Sequence, residues 1–241
     1  MRPRIVEAAL QALFPPDARC PGCGDLSGLS GDWLCESCRA AFAPRHERVR
    51  EPNWPEYGIW EAFTAFRYRG AVRGAIHHFK FRCARELSEP LGDALAELYE
   101  SVVIQRPDVL VPIPLHRARL RERGFNQSRL LADRLSARIG VPVEEALVRV
   151  RRTKQQARLS MGKREGNASG AFAAKRAFDG ETAMLVDDIL TSGSTANECA
   201  RTLRAAGAGE VWLIAIANAS GHYARENPDL RPSDADSERF D

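Results

Sequence analysis

Long apolar runs and lysine are both scarce in this chain of 241 residues. The opening stretch, MRPRIVEAALQALFPP, is broken by Glu7 and Gln11, which makes it too polar for the core of a signal peptide and too short to cross a bilayer. These absences predict a cytoplasmic protein with no membrane insertion. In that compartment cysteines remain reduced, so disulfides are not expected.

A large net charge is also lacking, since the whole chain carries only +3 at pH 7. That value is too small to indicate nucleic-acid binding by itself. The charge is unevenly distributed, however: residues 111–164 contain 14 Lys/Arg and 4 Asp/Glu, a local excess of +10. Such an excess favours an anionic ligand, most often a phosphate. A solvated basic face, or an arginine-favouring genome, is the alternative, because only four lysines occur in the chain.

The cysteines have a spacing that is typical of a metal site. Two C-x2-C pairs, separated by 11 residues, contain Cys20, Cys23, Cys35 and Cys38. Each pair can direct two thiolates toward one ion, and two pairs complete the closed tetrahedral sulfur site that zinc prefers. An iron–sulfur cluster or a redox pair is the alternative. We expect a structural zinc ribbon, because a closed site leaves no position for a substrate.

Apolar patterning divides the chain into three parts. Residues 1–50 are expected to hold an N-terminal helix and the cysteine ribbon, and residues 221–241 a polar, disordered tail. Residues 51–220 form a larger domain, with 51–105 as an entry region, or hood, and 106–220 as its core. From 108 onward, strand-like segments (DVLVPIP, AMLV, EVWLIAIA) alternate with helical ones. This alternation predicts an α/β fold with a mainly parallel sheet and helices on both faces.

An aromatic stretch precedes the core and contains the basic run HHFKFR at 77–82. We interpret it as one or two strands, whose aromatic side chains form the core of the hood. A helix is predicted from Ala84 to about Val103, with its leucines spaced by four, four and three residues. His77 and His78 are interpreted as surface residues rather than as a catalytic base.

The segment AMLVDDILTSGST at 183–195 carries the strongest chemical signal. An apolar strand ends in Asp187 and Asp188, and a loop of threonine, serine and glycine then leads into a predicted helix. Such a loop can bind phosphate through its backbone N–H groups, its hydroxyls and the helix N-terminus. The acids would then bind neutral hydroxyls. A ribose 5-phosphate would therefore suit the whole segment, with its phosphate in the loop and its hydroxyls on the acids. The alternative is that Asp188 caps a helix and the loop is a solvated turn.

This segment resembles, position for position, the motif with which type I phosphoribosyltransferases bind 5-phosphoribosyl 1-pyrophosphate (PRPP). VPIPLHRARLRERGFNQS, RRTKQQARLSMGKREGNASGAF and the four-cysteine ribbon extend the resemblance to the ComF family. It covers the chain from about Leu13 to Ala219. Members of that family are described as competence proteins for DNA uptake or as amidophosphoribosyltransferase-like. Many of them carry additional cysteine pairs, so the ribbon of this chain is minimal by comparison.

The resemblance implies a role for each matching segment. Asp187 and Asp188 would bind the ribose hydroxyls. The loop of Thr191, Ser192, Gly193, Ser194 and Thr195 would bind the 5-phosphate. Pyrophosphate would be bound near Pro112, Ile113 and Pro114, under a mobile basic flap. Candidate cations of the flap are Arg152, Lys154, Arg158 and Lys163.

Three functions are consistent with these signals. The first is transfer of phosphoribosyl from PRPP, with Mg²⁺, to an unidentified nucleophile. The second is a non-catalytic response to PRPP or a nucleotide, and the third is binding of single-stranded DNA, or of other DNA-uptake proteins, during competence. His116 lies near the expected pyrophosphate loop without a predicted catalytic role. Asn126 would either cap a helix or bind the ligand.

Overall fold

The computed structural model describes residues 20–24, 34–42, 47–49, 58–81, 84–102, 105–150 and 170–219. A short 3-10 turn, Arg85–Leu87, precedes the third helix. The helices are α1 Glu36–Ala41, α2 Gly70–Phe81, α3 Ser88–Val102, α4 Arg117–Arg123, α5 Gln127–Ile139 and α6 Ser194–Ala205. The strands are β1 Glu47–Val49, β2 Glu61–Arg67, β3 Val109–Pro112, β4 Leu147–Arg149, β5 Phe172–Ala174, β6 Ala183–Leu190 and β7 Val211–Asn218.

Five strands form the main sheet in the order β1-β2-β7-β6-β3. The four strands β2, β7, β6 and β3 run parallel, and β1 adds an antiparallel strand at one edge. β4 and β5 form a separate antiparallel pair. The carboxyl ends of the four parallel strands therefore meet at one edge of the sheet, where ligands bind in open α/β folds.

The two faces of the sheet are covered by different helices. One face packs against α2, α3 and α5, and the other packs against α6 and the β4–β5 pair. Along β6 the side chains alternate, with Met184 and Val186 in the first cluster and Ala183 and Leu185 in the second. The prediction of a mainly parallel sheet with helices on both faces is confirmed.

Helix α2 is the main departure from the prediction. The aromatic and basic stretch forms one strand, β2, and then a helix, so HHFKF lies within α2 rather than in a strand. Val72, Ile76 and Phe79 follow helical spacing and are buried, while the polar residues between them obscured that pattern in the sequence. Two aromatic side chains are not core: Trp60 is 67% exposed and Phe81 48% exposed.

The predicted helix after residue 84 is present as the 3-10 turn and α3, and its four leucines are buried. β1 lies within the stretch assigned to the ribbon, and it pairs with β2 of the main sheet. No helix of the described residues is long and apolar enough to cross a membrane. The predicted N-terminal helix, the basic candidates Arg152, Lys154, Arg158 and Lys163, and the tail at 221–241 lie outside the described residues.

Candidate functional site

The two adjacent acids lie in the last half of β6. The strand continues to Leu190, so Asp187 and Asp188 are part of it rather than following it. Asp187 accepts a hydrogen bond from Ser128 of α5 and lies near Cys199 of α6, whereas Asp188 pairs with Lys80 of α2. The two carboxylates therefore have different surroundings.

Asp188 forms an ion pair with a lysine of α2. Its Oδ1 lies 2.9 Å from Nζ of Lys80, and both side chains are largely buried, with 9% and 18% exposed. Ion pairs with this little exposure are screened by solvent much less than surface pairs. Lys80 therefore neutralises part of the negative charge that two neighbouring acids bring to one site.

Asp187 is bound by two hydrogen-bond donors. Ser128 Oγ, in the first turn of α5, donates to Asp187 Oδ1 over 3.1 Å, and the backbone N–H of Asp188 donates to the same oxygen over 2.9 Å. Burial and the charge of Asp188 raise the pKa of Asp187 to about 7, against the opposing effects of Lys80 and the two donors. Asp187 thus titrates near neutral pH.

The hydroxyl-rich loop follows directly and opens α6. Gly193 has φ +72°, a left-handed conformation that favours glycine, and its carbonyl accepts a hydrogen bond from Asn197 N–H over 2.8 Å. The hydroxyls of Ser192 and Ser194 are 2.9 Å apart. Thr191 is exposed. The structure therefore has a tight, hydroxyl-rich turn at the N-terminus of a 12-residue helix, a geometry that favours anions.

The segment after β3 is tied to this site by Asn126. Asn126 Nδ2 donates to the carbonyl of Ile113 over 3.1 Å, and its Oδ1 caps α5 by accepting from Ser128 N–H. Ile113 N–H donates to the carbonyl of Val186, beside the acid pair. Pro112, Ile113 and Pro114 are thereby held next to the acid pair. Of the two interpretations of Asn126, the structure shows the cap.

Two arginines experience the charge of the acids. Burial lowers the pKa of Arg123, at the end of α4, and Asp188 partly offsets this effect. Burial likewise lowers the pKa of Arg149 in β4, where Asp187 is among the groups that oppose the shift. His116, by contrast, caps α4 through its Nδ1, which accepts from Ala118 N–H over 3.2 Å.

The four cysteines form one cluster, in which all sulfur atoms lie within 4.8 Å of one another. A tetrahedral zinc site with Zn–S bonds of about 2.3 Å separates its sulfurs by about 3.8 Å. The Sγ atoms of Cys23 and Cys35 are 3.7 Å apart, which fits that geometry. The cluster can therefore bind a metal such as zinc.

Backbone N–H groups favour the thiolate form of Cys20. Cys35 N–H donates to Cys20 Sγ over 3.3 Å. Burial raises the pKa of Cys20, but backbone donors from Cys35, Cys23 and Gly22 outweigh it and lower the pKa to about 7. Thiolates are the ligands that zinc requires, so these donors favour metal binding.

The structure brings the predicted acids, hydroxyl loop and proline segment together at the carboxyl edge of the sheet. Reasoning from the sequence missed Lys80 and Ser128. Ser128 is the last residue of the VPIPLHRARLRERGFNQS segment that carries the family resemblance, but no role was predicted for it. Lys80 lies in the basic run HHFKFR, whose helical state was not recognised.

Comparison with known proteins gives the family of the domain. Residues 85–234 match the family model of the phosphoribosyl transferase domain. Competence protein F of Haemophilus influenzae is 31% identical over 178 residues, covering 70% of this chain and 76% of the relative. DNA utilization protein YhgH of Escherichia coli K12 is 31% identical over 202 residues, covering 81% and 82%. Competence protein ComFC of Bacillus subtilis is 30% identical over 185 residues, covering 76% and 70%.

The chain belongs to the ComF family of proteins with a phosphoribosyl transferase domain.

Proposed function

We propose that the protein binds PRPP at the carboxyl edge of its sheet and transfers the phosphoribosyl group to a nucleophile, with loss of pyrophosphate. The observation that carries this proposal is the continuous sequence of acid pair, tight hydroxyl-rich turn and helix N-terminus from Asp187 to Thr195. Asp187 and Asp188 would bind the 2- and 3-hydroxyls of the ribose. Thr191, Ser192, Gly193, Ser194 and Thr195 would bind the 5-phosphate.

The pyrophosphate would lie along Pro112–Pro114, which Asn126 holds beside the acids. Arg123 of α4 and the flap candidates Arg152, Lys154, Arg158 and Lys163 would supply positive charge to the leaving group. Stabilising the charge that develops on the leaving group, and excluding water from the anomeric carbon, would be the main contributions of the protein.

Magnesium would enter with the pyrophosphate of PRPP. Among the described residues, the cysteine cluster is the one group of potential ligands that could surround a metal without substrate. Mg²⁺ commonly retains water and is bound through one or two carboxylates and substrate phosphates. It would supply charge neutralisation of the pyrophosphate. The cysteine cluster would hold zinc as a structural ion.

The first test is binding of PRPP with Mg²⁺ to the zinc-loaded chain, measured by calorimetry. The double variant Asp187→Asn, Asp188→Asn should lose binding because amides cannot replace two carboxylates as acceptors for the ribose hydroxyls. Asp179→Asn, an exposed change before β6, is the matched control and should bind as the wild type does. Absence of PRPP binding by the folded wild type would overturn the proposal.

Transfer is tested separately from binding. The protein, labelled PRPP and Mg²⁺ are incubated with pools of nucleobases and amines, and pyrophosphate release that depends on an acceptor is measured. Release with one pool identifies the class of the nucleophile. Binding without release under any pool would support a non-catalytic PRPP-responsive protein instead.

A second candidate function is binding of single-stranded DNA, as expected if the chain shares the roles named for the competence and DNA utilization proteins. The observation that favours it is the exposed ring of Phe81. The centroid of the His77 ring lies 4.7 Å from that of Phe81, with the two rings tilted by 42°, and the guanidinium of Arg123 lies 4.9 Å from the Phe81 ring centre. Exposed aromatic rings among cations are typical of surfaces on which bases stack.

The DNA hypothesis predicts an affinity for single-stranded DNA that falls as salt rises and is reduced by Phe81→Ala. Trp60→Ala is the control, since it removes another exposed aromatic side chain. Equal losses for the two variants would indicate nonspecific contact, and an affinity independent of salt would contradict phosphate binding.

A further inference from the structure

Helix α2 connects the cysteine cluster with the acid pair. At its N-terminal end, Ala71 packs with Cys20, Cys35 and Cys38 in one buried cluster. One turn later, Gly74 lies against the first cysteine knuckle, so closely that a Cβ atom there would collide with the carbonyl oxygen of Gly22. The helix therefore rests directly on the cysteine module (20–24 and 34–42).

The module is packed equally tightly from within. A Cβ atom at Gly22 would lie 2.8 Å from Cys38 Sγ, closer than real contacts allow. Gly22 thus lies between a metal-ligating sulfur on one side and α2 on the other. A displacement of Cys38 would therefore press on Gly22, which contacts α2 at Gly74.

The other end of α2 carries Lys80. Lys80 lies six positions after Gly74, about 9 Å along the helix axis. The pair between Lys80 and Asp188 is short and largely buried, so it depends on where the helix places the lysine. Asp188 is also influenced by Arg123, whereas Asp187 faces Ser128, Arg149 and Cys199. In the described structure, Lys80 forms the direct ion pair with the site's acids.

We propose that Lys80 is a positioning residue that orients Asp188 for the ribose, and that the cysteine module holds it there through α2. The sugar-phosphate site would then require an intact module, although the two lie at opposite ends of a helix. This inference rests on the proposed binding of PRPP. It assigns to the module a role in the site, beyond folding of its own segment.

Lys80 is tested with two ligands, ribose 5-phosphate and PRPP. Lys80→Met should weaken both by about tenfold, because a lost charge-assisted contact leaves Asp188 without its orienting partner. Lys80→Arg should restore part of the affinity for both. A loss confined to PRPP would overturn the positioning role, because it would show that Lys80 contacts the pyrophosphate. Unchanged affinity for both would overturn it as well.

The link through α2 is tested with Gly74→Ala. Alanine is favoured over glycine inside a helix, so this change should stabilise α2 if Gly74 had no close neighbour in the cysteine module. We expect the reverse: faster hydrogen exchange at residues 75–81 in the ligand-free, zinc-loaded chain, and a several-fold weaker affinity for ribose 5-phosphate. Arg73→Ala, at the adjacent exposed position of the same helix, is the control and should slow exchange or leave it unchanged.

These measurements distinguish failure of PRPP binding from failure of the link between the cysteine module and α2. If the wild type binds neither ligand, the proposed function falls, while the exchange measurement still tests the link between module and helix. If Gly74→Ala leaves exchange at 75–81 unchanged, the link is wrong whatever the ligand affinity. If exchange rises but ribose 5-phosphate affinity stays at the wild-type value, the module does not control the site and the proposal is overturned.

Discussion

Asp187 and Asp188 are neighbours in the chain, yet their carboxylates have different partners. Asp188 pairs with Lys80, whereas Asp187 accepts hydrogen bonds from a hydroxyl and a backbone amide. The negative charge of Asp188 is therefore balanced by a lysine, while that of Asp187 is stabilised by hydrogen bonds. Burial and the charge of Asp188 nevertheless outweigh Lys80 and the two donors, and they raise the pKa of Asp187.

The raised pKa of Asp187 predicts a pH-dependent effect on stability. An acid whose folded pKa lies above its unfolded value reduces the free energy of unfolding once pH exceeds the unfolded value, here 3.8, and the full cost is present above about 7. Asp187→Asn removes that cost. The variant should gain on the order of 1–2 kcal/mol relative to the wild type at pH 5, and this gain should increase up to about pH 7 and then level off.

The measurement is urea unfolding of both proteins at pH 5, 6, 7 and 8. Asp179→Asn, which removes an exposed acid before the start of β6, is the control. A difference between Asp187→Asn and the wild type that stays constant from pH 5 to pH 7 would contradict a raised pKa for Asp187. The same variant should bind PRPP more weakly, so greater stability and lost binding are expected together.

At the scale of elements, the turn between β6 and α6 determines how the hydroxyls are presented. Gly193→Ala forces a side chain into a left-handed conformation, at a cost of about 1 kcal/mol. Phosphate affinity should fall several-fold, because the turn that aligns the loop hydroxyls relaxes.

Gly180→Ala is a matched control for this prediction. Gly180 has φ +74°, no atom lies within 4 Å of the position of its Cβ, and it precedes β6 at the opposite end of the strand. It should lose similar stability without losing affinity for ribose 5-phosphate. Equal losses of affinity in the two variants would show that strain, rather than the geometry of the turn, is responsible.

Most of these elements could be predicted from the sequence, because continuous apolar segments and helical leucine spacing are local signals. α2 could not, since its buried residues are interrupted by His77, His78 and Lys80, which made it look like a polar strand. The acid pair and loop could be predicted from their order in the chain. Lys80 and Ser128 could not, because their contacts with Asp188 and Asp187 span 108 and 59 residues and arise only from packing.

At the scale of the molecule, the cysteine module and the sheet are linked by packing as well as by the chain. Removing the metal with a chelator should therefore lower the Tm of the whole protein rather than melt the module alone. Cys38→Ser should have the same effect, with loss of about one zinc per chain. Zinc content by mass spectrometry and calorimetric unfolding are the measurements.

Cys199→Ala provides the control for this last prediction. Cys199 is buried in α6, on the other face of the sheet, so its loss should lower the Tm modestly and leave the zinc content unchanged. Separate unfolding transitions after chelation, with the main one unmoved, would show that the module is energetically independent.

The two edges of the main sheet bear on how the protein behaves at high concentration. One edge is the reversed strand β1, only three residues long. At the other edge, β3 ends in Pro112, which has no N–H to donate, and Leu110 is already bonded to the backbone of Pro142 and Glu144. Short, reversed or covered edge strands leave few backbone groups with which a strand of a second molecule could pair. Aggregation through pairing of edge strands is therefore disfavoured. We expect the protein to refold without aggregating at protein concentrations at which sheets with long open edges aggregate.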